Sequence, residues 1–331
     1  MKGKERDMLK GNRIAQGILS GLILFSFIIY GCTVKVPVTY QMPARIDLSR
    51  IKSIAVLDFE GRRDARKWVP EVLTIRLQQT RYFKVIERER IAYVLKEQGL
   101  GMTGLIDPKT AAKVGKILAV DAVIYGRVGS WEVKDVRGTY KYTYKKEGRK
   151  YTKYVPYIKR RAYVCFTVKV VDTNSAEVIA SDLLEGDIED RASGEDRYVE
   201  IKPKDKILFE AAKIGITNFV RKITPHMVYE ERKLMSGDKE VKVGIQYAKK
   251  GRWERAIEVW RKVLKARPHC SPAHYNLGVS YEVTGRLYDA KREYEEAEKL
   301  EPKEEYMNAV IHINKLIQAQ KRLEEQMEGR R

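Results

Sequence analysis

Cysteine and histidine are scarce in this chain, at three and four of 331 residues. Three cysteines exclude a disulfide-dense scaffold and fall short of any common structural zinc set. The spacing His269-Cys270-x-x-x-His274 brings three metal-type ligands together with no fourth nearby, and a turn between helices accounts for it. His226 and His312 stand apart from any carboxylate or nucleophile pattern. No catalytic residue, metal or cofactor is expected. Acidic residues are also in short supply, 45 Asp and Glu against 65 Lys and Arg, for a formal net charge of +20. That balance favours an anionic partner, whether nucleic acid, lipid head group, or acidic protein or polymer. Missing too is a comfortable membrane span of ~20 strongly apolar residues. What is present is 44% hydrophobic and 33% charged, the composition of a folded chain, long enough for about two domains.

Residues 1–13 are a charged leader in which Lys2, Lys4, Arg6, Lys10 and Arg13 outweigh Glu5 and Asp7. An uncharged run follows from Ile14 to Thr33, and its apolar centre, Ile18 to Tyr30, has the length of a signal-peptide core. It ends at Ile29-Tyr30-Gly31-Cys32, which resembles the bacterial lipobox, with Tyr30 bulkier than the usual residue. The resemblance implies removal of residues 1–31 and acylation of Cys32, which anchors the chain in a membrane. Thr33 follows instead of Asp, which implies the outer membrane and its periplasmic face. The alternative is an uncleaved helix that anchors the chain in the inner membrane. Export makes nucleic acid an unlikely partner in either case. Residues 32–48 hold two prolines and no sustained period, and read as an extended tether.

From 49 to 230 the pattern is that of one α/β domain. Ser53–Phe59 is a buried-strand run, Arg66–Gln79 a helix, Tyr82–Ile86 a strand and Arg88–Gln98 a helix. Asp107-Pro108 starts a further helix to Ile117, with Asp as N-cap and Pro at the first helical position. An apolar strand to Val128 completes the alternation. Hairpins follow: strands at 131–144 and 150–157 around Lys146-Glu147-Gly148, then 162–171 and 177–184, and a closing helix over 204–223.

The order of several short features here resembles the CsgG family of bacterial outer-membrane lipoproteins. They are Asp58-Phe59 ending the first strand, Val85-Ile86-Glu87-Arg88, Glu97-Gln98, and Gly115-Lys116 leading to Asp121. The likeness covers about 49–185. It implies a mixed sheet with flanking helices, a fold also used by lipoprotein activators of peptidoglycan synthases, and a possible homo-oligomer. A channel subunit of this type would carry two membrane hairpins with alternating apolar residues. Tyr140, Tyr142 and Tyr144 alternate as needed, but Lys145, Lys146, Arg149 and Lys150 crowd the turn, and residues 185–200 have almost nothing for a bilayer. Pore formation is therefore not the preferred reading. The Tyr and Lys hairpin reads either as a docking surface for lipid phosphates or an anionic polymer, or as a solvated hairpin with cross-strand ring packing. The G-x-G-x-x-G match at Gly99–Gly104 follows a helix and precedes a loop, the reverse of a dinucleotide fingerprint.

A self-match of period 34 occupies 237–304: Gly244 with Gly278, Tyr247 with Tyr281, Gly251 with Gly285, Ala256 with Ala290, Trp260 with Tyr294, Pro268 with Pro302. It resembles the tetratricopeptide repeat, two all-α helix–turn–helix units, with 305–331 as a capping helix and frayed tail. By that register Val241, Ile245, Tyr275 and Val279 would line a groove for an apolar segment of a partner protein, since the polar grip of carboxylate-binding arrays is lacking. Alternatively, the middle domain or a second copy covers them. The whole reads as a non-enzymatic, lipid-anchored envelope scaffold. A CsgG-type secretion channel and a synthase activator are the alternatives.

Overall fold

The computed structural model describes residues 34–97, 107–194 and 200–330. The leader, Cys32 and the Gly99–Gly104 motif lie outside the described residues. The first strand, β1 (Lys35–Met42), precedes an α/β body: β2 (Ser53–Val56), α1 (Arg63–Thr80), β3 (Lys84–Val85), α2 (Arg88–Glu97), α3 (Pro108–Ile117), β4 (Ala122–Lys146), β5 (Arg149–Asp172), β6 (Val178–Ser193) and α4 (Lys204–Ile223). Strand β7 (His226–Lys233) leads to the helices α5 (Lys239–Lys249), α6 (Trp253–Ala266), α7 (Ser271–Val283), α8 (Leu287–Leu300) and α9 (Glu304–Glu328).

The five-stranded sheet has the order β3-β2-β4-β5-β6, parallel among its first three strands and antiparallel thereafter. Its two faces follow from the alternation of side chains along a strand. Ile54, Val56, Ala122 and Ile124 face α1 and α4, while Ala55, Leu57, Val123 and Tyr125 face α2 and α3. Asp107 caps α3 as its sequence position requires, accepting from the Lys109 and Thr110 amides at 2.8 and 3.0 Å. The hairpin strands expected as separate pieces are continuous. β4 passes through a register shift between Val128 and Ser130, and β5 runs unbroken through Pro156. Proline is tolerated there because β6 pairing stops at Tyr157↔Ser193, one residue short of it.

Two expectations are overturned. Residues 35–42 are not a tether but a strand, paired along its whole length with β7 from Lys35↔Lys233 to Met42↔His226. Nor is the tail frayed as far as Arg330. The Gln326 amide bonds both backbone groups of Ala44 at 2.9 Å, and the Arg330 guanidinium lies 4.0 Å from the Tyr82 ring centroid and bonds the Ile51 carbonyl at 2.9 Å. Helix α9 thus starts on the helical array and ends on the α/β body.

The period of 34 in the sequence is a period in space. Gly251 and Gly285 take φ of +70° and +77° between paired helices, and the amides of Arg252 and Arg286 bond the Tyr247 and Tyr281 carbonyls in both turns. Gly244 and Gly278 sit against Trp260 and Tyr294, and a Cβ on Gly278 would lie 2.6 Å from Tyr294 Cδ1. Both rings are fully buried, so neither can retreat without disturbing the next helix. Gly278→Ala is expected to cost about 1–3 kcal/mol by overpacking, measured as a lowered urea midpoint at unchanged m-value.

Candidate functional site

Val241, Ile245, Tyr275 and Val279 do share one face, but it is not an open groove. All four are buried, with Val241 and Val279 at 0%, in one cluster with Val36, Leu234 and Met235. The chain's own β1–β7 ribbon covers them. The reason lies in the ribbon's sequence, where β1 alternates exposed Lys35, Pro37 and Thr39 with Val36, Val38 and Tyr40 turned inward. Strand β7 turns Glu230 and Arg232 inward along with Val228, so its inward face does not read as an apolar one.

Those two charges form the polar centre of the groove. Arg232 reaches Glu230 Oε2 at 2.7 Å and Glu282 Oε1 at 3.0 Å, and it also contacts His312 Nε2. His312 Nε2 is 3.2 Å from Glu282 Oε1, and the Tyr294 hydroxyl donates to Glu282 Oε2 at 2.6 Å. Glu282 is 4% exposed. Burial pushes its carboxyl upward, but His312, Arg232 and Tyr294 outweigh that and hold it below the usual range. Burial likewise works against the Arg232 charge, and Glu282 and Glu230 overcome it, so the guanidinium is held more firmly than usual. Burial, then the neighbouring Glu282, raises the Tyr294 hydroxyl, while burial lifts Tyr275 to about 12. Both phenols stay neutral at any physiological pH, and Tyr294 stays a donor to Glu282.

One residue that sequence reasoning passed over completes the seat. Asn276, fully buried, accepts from the Met235 amide at 2.7 Å and donates to its carbonyl at 2.8 Å, as a neighbouring strand would. The expected apolar ligand and lack of a polar grip are both corrected: the occupant is an amphipathic ribbon, gripped by Asn276 and, through its own half-buried Arg232, by Glu282. The period-two alternation of Val36, Val38, Tyr40 and Met42 was the available sign of it.

The basic aromatic hairpin, in contrast, is exposed. β4 and β5 pair outward as far as Lys146↔Arg149, and Tyr140, Tyr142, Tyr144, Lys145, Lys146, Arg149 and Lys150 are all solvent-facing. Directly opposed residues share a face, so Tyr140, Tyr142 and Tyr144 line up with Val155, Lys153 and Tyr151. The Tyr142 and Tyr144 rings stack at 5.8 Å with a 22° tilt, and Tyr144 and Tyr151 at 5.7 Å with 23°. Residues 185–193, whose acidity argued against a membrane hairpin, lie beside the base of β5. There Glu185 accepts from the Tyr163 hydroxyl at 2.7 Å, Asp187 from Arg161 at 2.8 Å, and Glu189 pairs with Lys159 at 3.8 Å. β6 pairing stops at Ser193, so this acidic strand neutralises the base of the hairpin and leaves the tip basic.

The other candidates have structural roles. Asp58 pairs with Arg88, which also bonds the Val56 carbonyl at 3.1 Å and ties the end of β2 to the start of α2. Asp121 accepts from the Lys52 and Ser53 amides at 2.8 and 2.7 Å; burial pushes its carboxyl up, but these bonds hold it below the usual range. His274 spans Glu293 Oε2 at 2.7 Å and the Pro268 carbonyl at 2.9 Å, and Cys270 is a free thiol. Among the described residues no cluster of His, Cys, Asp and Glu is placed to hold a metal, and no helix is long and apolar enough to cross a membrane.

Residues 62–241 match the family described as curli production assembly/transport component CsgG, which is more than half of the chain. The chain belongs to the CsgG family. Residues 242–319 of this CsgG-family chain match a domain of unknown function, DUF6340. No curated protein matches it. Among solved structures it is similar to lipoprotein GNA1162 from Neisseria meningitidis, at 14% identity and TM-score 0.31 over 51% of this chain and 97% of that one. It is also similar to a PelC dodecamer from Paraburkholderia phytofirmans, at 13% and 0.28 over 58% and 99%. The LpoB C-terminal domain from Salmonella enterica follows at 12% and 0.25 over 42% and 83%. Likeness at these scores carries nothing about function.

Two outcomes are expected. Arg232→Met should destabilise by about 3–5 kcal/mol in urea unfolding, because Glu282 is left buried without its cation, and pairing it with Glu282→Met should recover part of the loss. His274 concerns pH. Burial lowers its pKa, but Glu293 and the Pro268 carbonyl raise it above the ordinary 6.5. The stabilisation is therefore complete below about pH 6.5 and is lost as pH rises through the raised value. The melting-temperature gap between the wild type and His274→Gln should narrow from pH 6 to pH 9.

Proposed function

We propose that the protein is a lipid-anchored scaffold or assembly factor of the bacterial cell envelope, held by acylated Cys32 on the periplasmic face of the outer membrane, with a binding role and no catalytic one. Membership of the CsgG family supports the envelope reading, and the lipobox-like Ile29–Cys32 supports the anchor. Only Thr33 lies between Cys32 and Val34, so a lipid there would hold β1 within a few residues of the bilayer. The observation that carries the scaffold reading is the β1–β7 ribbon. One strand comes from before the α/β body and one from after it, and both pack on the helical array, here read as a tetratricopeptide module, so that the parts form a single support. The charged groups Asp58, Asp121 and Glu282 are spent on structural contacts. Partner proteins of the envelope would then meet outer surfaces of the array and the hairpin, not the filled groove.

A second reading, a subunit of an oligomeric CsgG-type secretion channel, is favoured by one observation. The stretch from Val136 to Lys159 is a regular antiparallel hairpin with tyrosines on one face, and its arms have the length of membrane strands, about 9–11 residues. Native mass of the membrane-extracted protein separates the two. A detergent-released monomer or dimer fits the scaffold, whereas a large closed ring that needs detergent fits the channel. Cys32→Ser is expected to move the protein from the membrane to the soluble fraction, and retention of that variant in the membrane would sink the lipid anchor.

A further inference from the structure

A groove of about 520 Å³ runs along the tyrosine face of the β4–β5 hairpin, lined by Tyr140, Tyr142, Tyr144, Lys153, Val155 and the Ser193–Gly194 edge. We infer that this groove binds an acidic polysaccharide, whose sugar rings lie on the tyrosines and whose carboxylates meet the basic tip. Neither the CsgG fold nor the proposed anchoring requires such a site, and the inference holds wherever the protein resides.

Three properties of the face match three properties of such a polymer. Tyr142 is 54% exposed, Tyr144 38% and Tyr151 41%, and their near-parallel rings form a row that runs from Tyr142 to Tyr144 on β4 and crosses to Tyr151 on β5. The electron-rich ring faces attract the weakly positive C–H face of a sugar, and a row of rings lets successive sugars bind as a linked set. The tyrosines and Ser193 of the lining carry hydroxyls, which both donate and accept hydrogen bonds as sugar hydroxyls do. Lys145, Lys146, Arg149 and Lys150 surround the end of the row, beyond the last residue of the acidic β6, and Glu147 is the only acid of the turn. That is charge complementarity to a polyanion, sharpened because the compensating strand stops short.

Shape and composition weigh against a bilayer. The face is concave, and its lining holds tyrosine and one valine but none of the Leu, Ile, Phe or Trp wedges that an interfacial anchor presses into lipid. Bases also stack on aromatic rings, so an oligonucleotide is the rival that the experiment must include.

The test is titration calorimetry of the full chain in detergent at 0.15 M salt, with polygalacturonate oligosaccharides as probe. Neutral dextran, a single-stranded oligonucleotide of equal charge, and vesicles of phosphatidylglycerol serve as comparisons. Polygalacturonate is expected to bind more tightly than any of them. Tyr142→Ala/Tyr144→Ala should weaken its affinity at least tenfold, while Tyr142→Phe/Tyr144→Phe should keep it within about threefold, since stacking needs the ring. Wild-type affinity in the alanine pair would reduce the effect to general charge attraction and overturn the inference. A phenylalanine pair as weak as the alanine pair would also overturn it, as would tighter binding of the oligonucleotide or the vesicles. Circular dichroism melting of each variant confirms that exposed positions, not the fold, have been changed.

Discussion

The buried meeting of Arg232 with Glu282 governs how this chain is put together. An ion pair withdrawn from water is tolerated only when its remaining hydrogen-bonding capacity is filled, and here Glu230, His312 and Tyr294 fill it. The guanidinium ties β7 to α7 and α9, and Tyr294 brings α8 to the Glu282 carboxylate, so satisfying one ion pair fixes a strand against three helices at once. Asn276 extends that control to the backbone just after the strand. The rest of the helical array is then positioned by a few polar contacts with strict geometry, inside an apolar face that alone would accept many arrangements.

The consequence is a groove that is already full. Two helix–turn–helix units leave an apolar face that carries Val241, Ile245, Tyr275 and Val279. Here β1 and β7, from either side of the α/β body, lie in it together. The same chain adds Gln326 on Ala44 and Arg330 on Tyr82, so the array is also tied to the α/β body through α9 and the residues after it. A scaffold built this way presents fixed outer surfaces and has little freedom between its halves.

Charge is distributed with similar economy. The basic excess of the chain is not spread evenly over the hairpin. β6 supplies Glu185, Asp187 and Glu189 opposite the tyrosines and cations at the base of β5, and then ends. Only the outer part is left with lysines, arginines and a row of tyrosines, and it is there that the molecule has both the exposure and the chemistry to meet an anion. The acidic run thus serves the fold at the base and defines the site by stopping.

Much of this architecture was written locally. Period-two and period-3.6 burial, the Asp107-Pro108 helix start and the repeated Gly251 and Gly285 turns are dictated by steric and hydrogen-bonding rules that act within a few residues, and a reader of the sequence finds them. The exposed tyrosines and lysines of the hairpin were legible for the same reason, since nothing distant alters them. What the sequence could not disclose was contact between segments far apart. Lys35–Met42 looked like a tether because Pro37 and its short length mask a strand, and His226–Lys233 escaped notice because Glu230 and Arg232 interrupt its inward face. A charged residue reads as solvent-facing until its counter-charge is known, and Glu282 lies 50 positions from Arg232. The sequence by itself determined the helices and strands of the α/β body and the helical array, and the exposed chemistry of the hairpin. Only the tertiary structure decided that the groove is filled from within, because that depends on partners brought together by folding and on the cost of burying a charge without them.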